Sequence, residues 1–477
     1  MFKRTNPRSS RQEKAGFVFF SARAWASKLE KPVSAAPLAV FRIVFGAMMA
    51  FSTLRFMAYG WIEDHYILPK LHFHYFGFSW ISPLPPLGMY GVHILMVSAA
   101  LGIMMGAFYR LSAVLFFIAF TYTELIEVSY YLNHYYFVSL VSFLLIWVPA
   151  HRFFSWDAHQ NPRLFSATVP QWSILIFQFQ LSLVYVYAGL AKINYDWLVL
   201  ALPLKIWLPA QDQLPIIGPW LRYPETAYLF SWAGMLYDTF ILLFLFWRPT
   251  RQLAYGAVVV FHALTGLLFP IGVFPLVMIG STLIFFSASF HQKILFQLAI
   301  LFRWKLPAGP GQLERQKQPR KAPKMRRKIG AMALAFYVIF QLIFPWRYLL
   351  YPGNLFWTEE GYRFSWRVML VEKAGTATFY VRDSHTGREG VVNNREFLNT
   401  HQEKQMAFQP DMILQFAHFL HDYYQKQGLK TPQVRAEVYV TMNARPSCLL
   451  IDPHRNLVEI EENWKAKDWL LPPAWEK

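Results

Sequence analysis

The sequence predicts an α-helical polytopic membrane protein of about nine spans with a C-terminal α+β domain on the extracytoplasmic side. The 477-residue chain is 55% hydrophobic and only 16% charged, whereas soluble domains carry about 25% charged residues. Several apolar runs approach 20 residues in length, and a helix needs about 20 residues to cross the bilayer. After residue 351 the pattern changes to the alternation that is typical of strands.

Nine apolar segments are candidate spans. Each is long and apolar enough to approach the thickness of the hydrocarbon layer. They cover residues 38–58, 86–107, 109–128, 134–149, 170–192, 226–247, 252–269, 271–288 and 329–346.

The distribution of Lys and Arg predicts the orientation. Residues 1–31 carry eight basic and two acidic side chains, and the segment 289–328 is also strongly basic. Cytoplasmic loops are enriched in Lys and Arg, so the N-terminus is predicted to be cytoplasmic and the C-terminal domain to lie outside. An even number of spans would reverse the side of the C-terminal domain. The net charge of +18 therefore indicates orientation and lipid contact rather than nucleic-acid binding.

The predicted domains follow from these segments. Within the C-terminal domain, 376–381 and 434–441 read as strands, and 410–427 reads as an amphipathic helix. The domains are a basic cytoplasmic segment (1–37), a transmembrane domain (38–305), a basic cytoplasmic linker (306–328), a last transmembrane helix (329–350) and the outer α+β domain (351–477).

Polar residues inside apolar spans are costly and are therefore functional candidates. Lys192 lies at the outer end of the fifth span, where desolvation would favour a neutral amine that can act as a base. It could equally snorkel to the interface or pair with Asp196. Asn133 and His134 begin the fourth span and could bind a ligand, although a helix cap and a satisfied histidine explain them as well.

A second group of candidates surrounds Lys192 in the predicted bundle. His262 lies within the seventh span and could bind a ligand or simply hydrogen-bond Thr265. Tyr185, Tyr187 and Trp197 could line a pocket for a flat ring, and anchoring in the lipid interface explains many of these aromatics equally well. The single cysteine, Cys448, cannot form an internal disulfide, and no metal site is predicted.

Several short motifs, taken in order, resemble the vitamin K-dependent gamma-glutamyl carboxylases and their bacterial relatives with a horizontally transferred transmembrane (HTTM) domain. The resemblance runs from about residue 38 to the end of the chain. The motifs are Asn133-His134, Ala188-Gly-Leu-Ala-Lys192 with Asp196-Trp197, Phe261-His262 with Ile271-Gly-Val-Phe274, Trp357-Thr-Glu-Glu-Gly-Tyr-Arg-Phe-Ser-Trp366, Arg382-Asp383 with Thr386-Gly387, and Ile451-Asp-Pro453.

The resemblance implies an activity. The family oxygenates vitamin K hydroquinone to its epoxide, removes a γ-proton from a peptidyl glutamate and adds carbon dioxide, without a metal. It implies that Lys192 deprotonates the hydroquinone, with Asn133 and His134 against the ring. His262 matches a histidine of the family. Together with Tyr187 and Trp197, which are predicted from their position beside Lys192, it is a predicted cofactor-binding residue.

The resemblance also implies the partners and the location of the protein. The partners would be a glutamate-containing peptide or protein and membrane lipid, with no nucleic acid. Trp357, Arg363 and Trp366 would hold the peptide. The short chain implies a bacterial plasma-membrane protein.

Departures from the family pattern motivate a second hypothesis. Animal members have a second lysine where this chain has Ala191, and their basic cluster is replaced here by residues 367–373. The alternative is a non-carboxylating quinone- or lipid-binding membrane protein of the same fold. A transporter ranks third because no internal repeat is evident.

Overall fold

A helical bundle and a sheet domain together form the molecule, of which the computed structural model describes residues 27–303 and 324–476. The predicted N-terminal segment up to residue 26 and the linker from 306 to 323 lie outside the described residues. The bundle helices are Ala36–Ala58 (α1), Pro86–Met105 (α2), Tyr109–Ile126 (α3), Asn133–Trp147 (α4), Trp172–Ala191 (α5), Pro224–Phe246 (α6), Arg251–Leu268 (α7), Phe274–Thr282 (α8), Ala288–Leu301 (α9) and Lys324–Ile343 (α10).

The number of membrane spans differs from the prediction. Among the described residues, seven helices are long and apolar enough to cross a membrane, or eight if the bent pair α8 and α9 counts as one span. Nine spans are not confirmed. The predicted span 134–149 is the 15-residue helix α4, which is shorter than the bilayer requires.

The predicted span 271–288 is not a continuous helix. It contains α8, which has nine residues, and a turn at Leu283–Phe285. The chain then bends by 118° into α9, a helix that the sequence analysis did not predict. Ser287 begins α9 as its N-cap, because its hydroxyl accepts a hydrogen bond from the amide of Phe290.

A buried arginine joins three parts of the bundle. Arg42 on α1 is fully buried and donates hydrogen bonds to the carbonyl oxygens of Ile103 and Met104, both at 2.9 Å, and of Phe154 at 2.5 Å. The first two carbonyls lie in the last turn of α2, where helix carbonyls have no partner within the helix. Arg42 therefore holds the end of α2 and the segment near residue 154 against α1.

The C-terminal domain is an antiparallel sheet covered by a helix. Its strands are Lys373–Arg382 (β3), Glu389–Val391 (β4), Gln433–Met442 (β5) and Cys448–Leu449 (β6), in the order β4-β3-β5-β6. A separate pair of short antiparallel strands consists of Pro32–Ser34 (β1), just before α1, and Thr168–Pro170 (β2), just before α5. The helices of the domain are Thr400–Met406 (α11) and Pro410–Lys426 (α12).

Alternate residues of β5 face the core of this domain. Val434, Ala436, Val438 and Val440 are fully buried, which is the period-two pattern of a half-buried strand. They share one hydrophobic cluster with Phe416 of α12. The two predicted strands and the predicted amphipathic helix are confirmed, with boundaries shifted by at most three residues.

A partly buried ion pair attaches the sheet domain to the bundle. Arg445, after β5, donates two hydrogen bonds to the carboxylate of Asp196, at 2.7 and 2.5 Å, and Asn443 donates a third at 2.7 Å. Burial alone would raise the pKa of Asp196, but these hydrogen bonds hold its pKa below the ordinary value. The pair therefore stabilises the contact at neutral pH.

We predict that Arg445→Gln weakens this attachment by about 1–2 kcal/mol, because one fork-shaped, charge-assisted contact is lost at a partly exposed site. Hydrogen exchange in the peptide around Asp196 should become faster at pH 7. Because the pKa of Asp196 is lowered on folding, wild type and variant should converge only below about pH 4. Arg395→Gln, which removes an exposed pair with Glu403, is the control. Equal exchange in Arg445→Gln and wild type at pH 7 would contradict the prediction.

Candidate active site

An apolar cavity of about 770 Å³, including its open mouth, lies between α5, α6, α7 and α8. Most of its wall is aromatic or aliphatic, as is usual for small-molecule sites. Residues from the C-terminal region complete the wall, because Val368 and Met369 reach into it. The aromatic lining consists of Tyr185, Trp197, Trp207, Phe230, Phe261, Phe269 and Phe274.

Lys192 is the basic group of this cavity. It is only 7% exposed and directly follows α5, so its side chain reaches back along the helix. Its Nζ donates to Asp238 Oδ2 at 2.7 Å and to the carbonyl oxygen of Ala188 at 3.3 Å. Its Nζ also lies 5.4 Å from the ring centre of Trp197.

The partner of Lys192 differs from the expected one. Asp196 pairs with Arg445, and the lysine pairs instead with Asp238 on α6, which is also buried. The sequence analysis did not single out Asp238. It carries the same signal that identified Lys192, an ionisable residue inside an apolar span. A buried pair at 2.7 Å replaces the isolated neutral amine that desolvation alone would predict.

His262 also lines the cavity, on α7. Its Nε2 lies 3.3 Å from the hydroxyl of Tyr185, and that hydroxyl lies 3.4 Å from Thr282 Oγ1. Its Nδ1 is buried and has no hydrogen-bond partner in the described part of the chain. Thr265 donates to the backbone carbonyl of His262 and not to its ring. The imidazole therefore keeps one nitrogen for a ligand.

Asn133 and His134 lie beside the cavity rather than in its wall. Asn133 Nδ2 donates to the carbonyl oxygen of Arg367 at 2.9 Å, so it holds the segment that supplies Val368 and Met369. It does not cap α4, whose N-cap is Leu132.

His134 is buried, and its Nε2 has no hydrogen-bond partner among the described residues. Its ring lies 5.6 Å from Phe274, and the Phe274 ring lies 5.5 Å from His262. Phe274 therefore separates the two histidines.

Of the two aromatic residues predicted to bind the cofactor, Trp197 lines the cavity and Tyr187 points away from it. Trp197 lines the cavity and donates from Nε1 to the carbonyl oxygen of Ser231 at 2.8 Å. Tyr187 does not line it. Its hydroxyl donates to the carbonyl oxygen of Leu342 at 2.6 Å and accepts from Trp346 Nε1 at 3.0 Å. The cavity face of α5 carries residues 184, 185 and 188, and residue 187 points about 100° away from residue 188.

The three predicted peptide-binding residues are enclosed by packing. Trp357 is 1% exposed and Trp366 is fully buried. Trp357 Nε1 donates to the carbonyl oxygen of Leu471 at 2.8 Å, and Trp366 stacks on Tyr136 of α4.

Arg363 donates to Asp411 and to Gln409. Its side chain is partly exposed, but its guanidinium is already paired. Trp366 joins the C-terminal region to the bundle, whereas Leu471 and Asp411, the partners of Trp357 and Arg363, lie within the C-terminal region. The aromatic motif carries no signal in the sequence that separates packing from peptide binding.

The described residues contain no group of three or more His, Cys, Asp or Glu side chains that could hold a metal ion. The polar groups of the cavity are instead an amine, a carboxyl group and an imidazole. These groups can exchange protons with an apolar ligand that carries a hydroxyl or carbonyl oxygen. An aromatic wall with few polar groups fits a flat quinol ring.

Comparisons with known families agree with this architecture. Residues 30–290, more than half of the chain, match the HTTM domain. Residues 326–476 match the family described as "Vitamin K-dependent gamma-carboxylase, lumenal domain". No solved structure matches the chain. The two matches follow one another with the domain order that the structure has, and the chain therefore belongs to the HTTM-containing vitamin K-dependent gamma-carboxylase family.

Proposed function

We propose that the protein carboxylates peptidyl glutamate at the γ-carbon in a reaction coupled to epoxidation of vitamin K hydroquinone. The observation that carries this proposal is the buried Lys192–Asp238 pair in the wall of an aromatic cavity inside the membrane domain. When bound, reduced vitamin K would supply the chemistry of its own oxygenation, which yields a base strong enough to remove the γ-proton of glutamate.

The pair can accept a proton whichever partner holds the one it already has. An ammonium with a carboxylate and an amine with a carboxylic acid contain the same number of protons, and each can accept one more. Burial favours the uncharged arrangement, because desolvating two ions costs more than desolvating two neutral groups. We propose Lys192 as the member that contacts the ligand, because its Nζ also lies near the ring of Trp197.

The other cavity residues orient the ligand and exclude water. We propose that His262 binds a ring oxygen through the nitrogen left free by Tyr185, and that Trp197 packs against the ring. We propose a supporting role for Asn133, through the carbonyl oxygen of Arg367. Tyr187, Trp357, Arg363 and Trp366 are left with structural roles by their contacts.

We further propose the topology and the location of the protein. The basic residues of the 289–328 segment place that segment in the cytoplasm, and the C-terminal domain then lies outside a bacterial plasma membrane. A non-carboxylating quinone- or lipid-binding protein is the second candidate, because Trp366 is fully buried and the guanidinium of Arg363 is already paired with Asp411, so neither side chain is free to hold a peptide.

A labelled-bicarbonate assay with a glutamate-containing peptide and vitamin K hydroquinone tests the function. Wild-type membranes should label the peptide and form epoxide. Lys192→Ala should lower both by at least about 100-fold, because a general base is lost. Lys205→Ala is the control, since Lys205 contacts Tyr228 outside the cavity. Undiminished epoxide in Lys192→Ala would refute the assigned base, and hydroquinone binding without label would favour the second candidate.

Asp238→Asn should distinguish the contribution of the Lys192–Asp238 pair to epoxide formation from that of the lysine alone. An amide carries no charge, so the ammonium that forms when Lys192 accepts a proton would lack its buried counter-ion. We expect epoxide formation to fall about 10-fold or more at pH 7, with a smaller loss than in Lys192→Ala, which removes the amine itself. A pH–rate profile for each variant provides the measurement. An Asp238→Asn profile that matches wild type would show that the carboxyl group has no part in proton transfer.

Gly234→Leu should obstruct the cavity without disturbing the fold. The nearest atom to a Cβ at Gly234 is Trp197 Cζ2, at 3.8 Å, so a larger side chain would extend into the space proposed for the ring. The half-saturating hydroquinone concentration should rise roughly 10-fold. Gly256→Leu on α7 is the control, because nothing lies within 4 Å of its Cβ position. A similar change in both variants would contradict a specific effect on the cavity.

A further inference from the structure

Arg55, in the last turn of α1, has a guanidinium group without a polar partner. Within the described ranges it forms no hydrogen bond and no ion pair, and its Nε is buried. Its guanidinium carbon lies 5.5 Å from the ring centre of Tyr59 and 5.0 Å from that of Trp61. A guanidinium has five N–H donors, and other arginines of this protein use them, as Arg42 does with three carbonyls and Arg445 with Asp196.

A second unpaired polar group lies in the same region. The charge of Arg55 acts on His134 and on Tyr135, and His134 Nε2 is buried without a partner in the described chain. A Cβ at Gly272 would lie 3.7 Å from Arg55 Nη2. The absence of a side chain at Gly272 leaves that side of the guanidinium open.

These groups are next to the proposed active cavity. Ile271, the neighbour of Gly272, lines the cavity, and Phe274 lies between the rings of His134 and His262. Arg55 lies close to the turn between α7 and α8, and His134 contacts Phe274 of the cavity wall, while neither residue lines the cavity itself. A ligand bound at Arg55 would therefore be adjacent to the proposed quinol site, because Gly272 and Ile271 are neighbours in the chain.

An anion is the ligand that satisfies both groups. The buried Nε of Arg55 and the buried Nε2 of His134 would each remain without a partner beside an apolar ligand, which is costly for buried polar atoms. A carboxylate matches the paired donors of a guanidinium. Glu124 on α3 also acts on Tyr135, but it forms no ion pair with Arg55 in the described chain and so does not occupy this position.

We propose that Arg55, assisted by His134, binds the side-chain carboxylate of the glutamyl residue that is to be carboxylated. The inference rests on the proposed function for the identity of the ligand, while the carboxylate chemistry follows from the two unpaired groups. Arg55 then determines specificity for glutamate over glutamine. Bicarbonate has the same charge and is distinguished from the peptide in the test.

The test compares two peptides that differ only in one Glu or Gln, with purified full-length protein in nanodiscs. Peptide binding is measured by the shift in the thermal unfolding midpoint, without hydroquinone. Wild type should bind the Glu peptide more tightly than the Gln peptide. Arg55→Gln should weaken Glu-peptide binding by roughly 10- to 100-fold and leave Gln-peptide binding unchanged, because charge-assisted hydrogen bonds are lost.

Two further variants keep the test decisive. Arg55→Lys preserves the charge but not the fork, so it should fold and should lose part of the Glu preference. Arg222→Gln, which removes an exposed arginine paired with Asp212, should behave as wild type.

The outcomes separate this inference from the proposed function. A preference for Glu that survives in both Arg55 variants would overturn the proposal, as would competition by bicarbonate alone with no peptide effect. An equal loss for both peptides would assign Arg55 to interfacial packing and would also overturn it. Wild-type preference for Glu that depends on Arg55, together with no epoxide formation when hydroquinone is supplied in the separate activity assay, would support the carboxylate site and refute the proposed reaction.

Discussion

The buried contact between Lys192 and Asp238 is the interaction on which the membrane domain depends. Two ionisable groups on neighbouring helices are costly in hydrocarbon unless they contact each other. Their contact therefore fixes the axial position of α5 relative to α6. Close packing supports this arrangement, since a Cβ at Gly189 would lie 2.6 Å from Thr239 Oγ1. The same pair is the most polar part of an otherwise aromatic wall. Under the proposed function, a contact that stabilises the bundle thus also provides the proton-accepting group of the cavity.

The sheet domain is part of this cavity and not only attached to the bundle. The segment that enters the bundle has positive φ at Phe364, Trp366 and Met369, a backbone region that is costly for residues other than glycine. Trp366 belongs to the hydrophobic core of the bundle, and Asn133 fixes the carbonyl of Arg367. This packing compensates the backbone strain. A displacement of the outer domain would therefore move Met369 and change the shape of the ligand cavity.

The sequence predicted the elements whose signals are local. Apolar length identified most of the spans, alternation identified β3 and β5, and the polar residue in a span identified Lys192. The bend between α8 and α9 could not be predicted from apolar content, because hydropathy does not record where a helix breaks. Asp238 carried the same signal as Lys192 and could have been found. Tyr187 was assigned by closeness in sequence, whereas helical rotation decides which side chains face a cavity.

In the proposed reaction, the arrangement of polar groups would let one protein bind two unlike ligands. A flat apolar ring gains from the aromatic cavity, while a carboxylate would lose its hydration there without compensation. Arg55 and His134 do not line the aromatic cavity, and the ring of Phe274 packs against both His134 and His262. The carboxylate and the ring would therefore bind at separate, adjacent positions. The separation also limits charge neutralisation, because a carboxylate next to Lys192 would compete with Asp238 for the amine. A site that must take a proton from one ligand and hold the charge of another therefore favours two adjacent compartments over a single mixed pocket.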